Sequence, residues 1–312
     1  MSKHFADRLL DAIARKGAPV CVGLDPRLDW IPDEFYSRAF EQHGQTPAAI
    51  RSAVREFCIE VIDLVEPFCP ALKPQAAFFE TLGPEGTLDL AAVCEHGRKR
   101  GLLIIADVKR GDIGTTAQAY AQSLFGGTKA RGIDLPSLAA DSATINPYLG
   151  SDSIQPFIDS ANAMFAGLFI LARTSNPGSA EFQELALAQG GTLVEQVASR
   201  IHEWGAGNIG GNGYSNIGAV VGATHADAAQ RMRQLMPRAL FLVPGYGAQG
   251  GSLDIIKACF NTDGRGAIVN SSRGVMHAYA QGPLKHFGPG RWREAVVEAA
   301  RALKAEISAQ VK

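Results

Sequence analysis

The sequence predicts a (β/α)8 barrel, the TIM-barrel fold, formed as a single domain across residues 1–312. Three observations predict it. Short apolar runs rich in β-branched residues alternate eight times with stretches of helical periodicity, which is the arithmetic of such a barrel. The chain has no linker and no repeat at solenoid periods, and barrels commonly reach this length as one domain. Polar residues gather at the C-terminal ends of the apolar runs, where barrels of this kind build their sites. Alternation alone is also met by a doubly wound open sheet, whose strands do not close.

The elements follow in order. Met1 to Arg8 reads as the start of an amphipathic helix and lacks the apolar core of a signal peptide. The first strand, 19–24, ends in Leu24-Asp25; the stretch 26–51, with Pro32, Pro47 and mixed polarity, reads as a long loop with a helical piece. Helical spacing at 54–65 precedes a second strand at 71–73, which runs into Pro74-Gln75. A helix at 88–100 leads to the third strand, 102–108, apolar at nearly every position as a strand buried on both faces requires. A helix at 116–125 and strands at 143–146 and 167–172 come next, the last ending in Arg173-Thr174-Ser175-Asn176-Pro177-Gly178. After a helix at 193–204, the Gly- and Asn-rich stretch 204–217 reads first as a flexible connector, and second as part of a cover over the site. Strands at 218–221, 240–243 and 267–270 enclose helices at 226–235 and 253–258, and an Ala-, Glu- and Lys-rich helix at 291–310 closes the chain.

The formal net charge of -1 gives no electrostatic reason to expect nucleic acid or an acidic membrane as partner. No stretch approaches the ~18 consecutive apolar residues of a membrane span. Cys21, Cys58, Cys69, Cys94 and Cys259 are odd in number and form no C-x-x-C pair, so they read as reduced, mostly buried thiols of a cytoplasmic protein. His4, His43, His96, His202, His225, His277 and His286 are scattered and read as structural or surface residues; nothing offers a zinc site.

The most telling segment is Asp107-Val108-Lys109-Arg110-Gly111-Asp112-Ile113-Gly114. Side chains of a strand alternate between faces, so Asp107 and Lys109 point the same way at the end of a buried strand. Burying such charges is costly unless they are paired or used. With Lys73 one strand away and Asp112 three residues on, two ammoniums and two carboxylates form an alternating array. The plain alternative is a salt-bridge network that only fixes the barrel. A Schiff-base lysine must be a free amine, whereas two flanking carboxylates keep Lys109 protonated. Asp25, Asp107 and Asp112 suit magnesium as oxygen ligands, but Lys73 and Lys109 set positive charge against the cation. What remains is electrostatic catalysis, in which fixed charges stabilise a carbanion that an ammonium then protonates.

Pro244-Gly245-Tyr246-Gly247-Ala248-Gln249-Gly250-Gly251 follows the seventh strand, and Asn270-Ser271-Ser272-Arg273-Gly274 the eighth. The loops after these two strands are the frequent phosphate site of such barrels, glycine turns expose backbone N–H groups, and arginine is a forked donor suited to phosphate. The plain alternative is that the glycines serve turns and Arg273 is a surface ion-pair partner.

Taken together, Gly23-Leu24-Asp25-Pro26-Arg27, Lys73-Pro74, the Asp107–Thr116 segment, Ser175-Asn176-Pro177-Gly178, the glycine loop and Ser272-Arg273-Gly274 resemble the orotidine 5′-phosphate decarboxylase family, in its longer bacterial (type 2) subgroup. The resemblance implies cofactor-independent, metal-free conversion of orotidine 5′-monophosphate to UMP and CO2 in de novo pyrimidine synthesis. It implies that Lys109 donates a proton to C6 within a network completed by Lys73 and Asp107. Asp112 and Thr116 then reach into a neighbouring subunit's site in a homodimer with shared active sites. Asp25 holds the ribose and Ser175 the pyrimidine. Gln249 and Arg273 bind the phosphate, with Pro244 and Gly250 completing the substrate contacts. Magnesium-dependent superfamily members acting on sugar phosphates share D-x-K-x-x-D but carry an acidic ligand where this chain has Lys73. A phosphate-binding scaffold would need the ligand loops without the charge array.

Overall fold

In this computed structural model, which describes residues 3–222, 226–245 and 253–311, eight parallel strands form the central sheet. They are β1 (Val20–Leu24), β2 (Ala71–Pro74), β3 (Leu103–Arg110) and β4 (Ser142–Ile145), then β5 (Gly167–Arg173), β6 (Ser215–Val221), β7 (Ala239–Val243) and β8 (Ala267–Ser271). Each pairs with its neighbour in sequence. β8 then returns to β1, with Val20 opposite Val269 and Cys21 opposite Asn270, so the sheet is a closed barrel and not an open one.

Alternation sends Cys21, Ala71, Ile105, Phe169, Val220, Leu242 and Ile268 to one buried cluster inside the barrel. The same cluster takes in Phe5, Leu9 and Leu10 from the helix Phe5–Lys16, which plugs the N-terminal end. Phe5 meets Phe169 edge-on at 6.0 Å, and its ring lies where a Cβ on Gly167, the first residue of β5, would fall 2.1 Å from a ring carbon. Burial of a ring of this size stabilises by roughly 1.5–3 kcal/mol. The opposite strand faces pack against the surrounding helices in a second, larger core. The five cysteines are all buried and unpaired.

The 26–51 insertion differs from the sequence expectation, and 204–217 keeps the first of its two readings, the connector. The 26–51 stretch is mostly helical: a 3-10 turn at Leu28–Trp30, a helix at Asp33–His43, and the first turns of a helix that runs Pro47–Val65. Pro32 and Pro47 read as loop residues, but Pro32 sits at the N-cap of one helix and Pro47 in the first turn of the next, where a missing N–H costs nothing. Phe35 anchors the insertion against Phe57 and Trp292, at 5.4 and 5.5 Å.

The 204–217 stretch is no cover over the site. Helix Leu193–Gly205 ends inside it, β6 begins inside it, and the loop between them enters β6 from its N-terminal end. Gly211 and Asn212 donate their N–H groups to Asp7 of the first helix, at 2.9 and 2.7 Å. In a parallel barrel that places the loop on the face opposite the strand C-termini.

Candidate active site

Lys73, Asp107 and Lys109 come together at the C-terminal mouth of the barrel. Lys73 Nζ lies 2.6 Å from Asp107 Oδ2, and Lys109 Nζ 2.5 Å from Asp107 Oδ1. Gln75 Nε2 donates to Oδ2 at 3.0 Å and Thr144 Oγ1 to Oδ1 at 3.0 Å, so each carboxylate oxygen accepts two hydrogen bonds. Burial alone would raise the Asp107 carboxyl's pKa; the Lys73 and Lys109 ammoniums overcome it and hold the pKa at about 2. Burial likewise pulls Lys73 down, and Asp107 with Asp25 more than restores it, leaving its pKa raised. Both directions describe one charged pair. The Lys73 side chain is 6% exposed and that of Lys109 46%, so one ammonium is locked in the floor and the other faces the opening.

The two carboxylates expected beside Lys109 reduce to one. Asp112 lies past the end of β3, and its Oδ1 accepts the N–H of Ile113 at 2.8 Å; among the described residues it makes no ion pair. Thr116 is exposed in the first turn of the helix Gly114–Phe125. Ile113, Tyr120 and Tyr148 are exposed as well, so an apolar surface adjoins these two polar residues. A single subunit therefore brings together three of the four charged groups.

Asp25 follows β1, and its Oδ1 is buried without a partner among the described residues. The buried His277 places its Nε2 3.0 Å from the Asp25 carbonyl oxygen; burial pushes the imidazole down to about 4, so the neutral ring donates that hydrogen bond. Gly23, one layer below Asp25, admits no side chain: a Cβ there would fall 1.9 Å from Ser272 Oγ. Asn270 Oδ1, at the same wall, is buried and unpartnered too. Unpaired acceptors of this kind are costly unless a ligand supplies the donors.

Ser175 lies in the loop after β5, backed by Gly222 at the end of β6, where a Cβ would approach the Ser175 nitrogen to 2.9 Å. Pro244 directly follows β7, while Gln249 and Gly250, like His225, lie outside the described residues. Arg273 opens a short helix, Arg273–Met276, and borders a cavity of about 500 Å³ between the β8 end and the C-terminal helix Trp292–Gln310. That is a different wall from the one carrying Asp107.

Sequence reasoning passed over Gln75, Thr144 and His277. Gln75 was within reach, because strand alternation sets it on the Lys73 face. Thr144 and His277 had no such signal, being 37 and 252 residues from their partners Asp107 and Asp25.

Comparison with known proteins points to one family. The family model described as orotidine 5′-phosphate decarboxylase / HUMPS family matches residues 18–282. The chain is 40% identical over 309 residues to the orotidine 5′-phosphate decarboxylase of Rhodopirellula baltica, covering 99% of each sequence. It is 37% identical over 308 residues to that of Caldicellulosiruptor bescii, again over 99% of each. Among solved structures it resembles the Leishmania donovani OMP decarboxylase with a TM-score of 0.73 and 33% identity, covering 99% of this chain and 98% of that one.

Proposed function

The chain belongs to the orotidine 5′-phosphate decarboxylase / HUMPS family and decarboxylates orotidine 5′-monophosphate to UMP in pyrimidine biosynthesis; on that premise we propose how its residues do so. Asp107, held ionised, faces the substrate carboxylate and favours its departure as neutral CO2. The electron pair left on C6 is stabilised by the Lys109 ammonium, which then transfers its proton to that carbon. Lys73 keeps Asp107 charged and in place. The single observation that supports this reading most is the contact chain Lys73–Asp107–Lys109, with one ammonium buried and the other open to the mouth.

The reaction is cofactor-free in this reading. An ammonium 2.6 Å from Asp107, at the end of β2, occupies the position from which a divalent cation would have to be held. Asp25, with its buried unpartnered oxygen, accepts from the ribose, and Ser175 contacts the pyrimidine. Arg273, Gln249, Gly250 and the backbone beside Pro244 take the phosphate. The enzyme works as a homodimer with shared sites: Asp112 and Thr116, idle in their own subunit, project from a surface that also exposes Ile113, Tyr120 and Tyr148. Burying that apolar patch drives association. No helix among the described residues is long and apolar enough to cross a membrane, and five buried unpaired cysteines fit a reducing compartment, which supports the cytoplasm.

The test is the absorbance change of orotidine 5′-monophosphate on adding purified protein, without metal and then with EDTA. Turnover that survives EDTA is the expected result. Loss of turnover that magnesium restores would move the chain to the metal-dependent branch, and phosphate-ligand binding without turnover to the scaffold.

A further inference from the structure

Lys109 does not sit on a regular strand. Its φ is +46°, in the left-handed region that residues with a Cβ seldom adopt, and the pairing of β3 with β4 slips between Ala106 and Arg110. Such a backbone persists only where its surroundings over-determine it. Here the surroundings converge on one atom. The N–H groups of Val108 and Lys109 both donate to Thr144 Oγ1, at 3.0 and 2.9 Å, and that hydroxyl donates its own proton to Asp107 Oδ1 at 3.0 Å. A hydroxyl has one proton and two lone pairs, so its capacity is filled. Thr144 is 1% exposed.

We propose that Thr144 is a positioning residue of the decarboxylation, its hydroxyl pinning the β3 bulge so that the Lys109 ammonium stands over Asp107 and meets the reacting carbon. The inference rests on Lys109 as the proton donor. Two links make the hydroxyl, and not merely a side chain of this size, the operative group. It fixes the backbone N–H of the residue that carries the ammonium, and it fixes the carboxylate oxygen to which that ammonium is paired. A valine of nearly the same shape breaks both links and leaves two N–H groups facing a methyl group. A serine keeps both.

The experiment compares Thr144→Val and Thr144→Ser with wild type in kcat, KM and the dissociation constant of UMP, after circular dichroism has confirmed folding. Misplacing a reacting group by about 1 Å can cost about 10²-fold, so Thr144→Val should lower kcat by about that factor. KM and UMP affinity should stay within about threefold, since phosphate and ribose contacts are untouched, and Thr144→Ser should keep kcat within about fivefold. If Thr144→Val fails to fold, Thr144→Ala is read against Thr144→Ser in the same way, because that pair differs only in the hydroxyl. A normal kcat without the hydroxyl overturns the proposal. So does a parallel fall in kcat and UMP affinity, or a serine variant as impaired as valine, each the mark of a merely structural tie between β3 and β4. Lys109→Ala, run alongside, separates the two levels. If it retains turnover, the donor assignment falls and this proposal with it; if it is dead while Thr144→Val is normal, only the Thr144 assignment falls.

Discussion

Replacing Lys109 with alanine removes the ammonium assigned as proton donor and leaves nearly everything else in place. The side chain is 46% exposed, and an ion pair open to solvent is worth about 0–1 kcal/mol. Asp107 keeps Lys73, Gln75 and Thr144, so the site should hold its shape and thermal unfolding should move by a few degrees at most. The chemical step has no such reserve. A positioned general acid contributes about 10²–10⁴-fold, and a preorganised charge beside the developing carbanion about 10²–10³-fold. Lys109 supplies both, and Lys73, 6% exposed and paired with the far oxygen of Asp107, cannot swing over to replace it. The product of the two effects puts the expected loss in kcat at about 10⁴–10⁷-fold. Initial rates come from the absorbance change of orotidine 5′-monophosphate, and UMP binding is followed by titration calorimetry. UMP affinity should remain measurable, because phosphate and ribose are held by other walls of the barrel. A folded variant with kcat within about tenfold of wild type would refute the assignment of Lys109 as donor.

Asp107 links stability to pH. Its folded pKa of about 2 lies below the ordinary 3.8, so the group contributes stability that is complete above pH 3.8 and lost as pH falls through about 2. The stability gap between wild type and Asp107→Asn in urea should therefore shrink by about 2 kcal/mol between about pH 5 and pH 2, and a constant gap counts against the charged pair. Mixing inactive Lys109→Ala and Asp112→Ala subunits should restore part of the activity, since a hybrid dimer regains one intact site; failure despite demonstrated subunit exchange would return Asp112 to its own subunit. Arg273→Ala should chiefly raise KM, by about 10–100-fold for one charge-assisted contact to phosphate, and an unchanged KM would remove Arg273 from the phosphate site.

Strand-end position and alternation were a sound guide to Lys73 and Asp107, and a partial one to Lys109. Alternation puts Lys109 on the Asp107 face, yet the contact is made through a bulge with positive φ that no periodicity announces. Pro32 and Pro47 misled because proline breaks a helix interior but suits a helix start, and position relative to a helix N-terminus is not evident until the helix exists. The composition of the glycine-rich 204–217 stretch suited a connector first and a cover second; the direction in which it enters β6 sets it at the end of the barrel opposite the site and leaves only the connector.

By itself the sequence determined the order of strands and helices, the residues at each strand's C-terminal end, and the family to which they point. All three follow from local rules: periodicity, burial of apolar runs and the chemistry of short motifs. The tertiary structure alone decided closure of the barrel, the four hydrogen bonds on Asp107, the support of Asp25 by His277 and the separation of Asp112 from the other charges. Those facts join groups tens to hundreds of residues apart. No short-range pattern encodes such a meeting; the closing of the barrel brings it about, and the cost of leaving a buried polar group unpaired selects the partner.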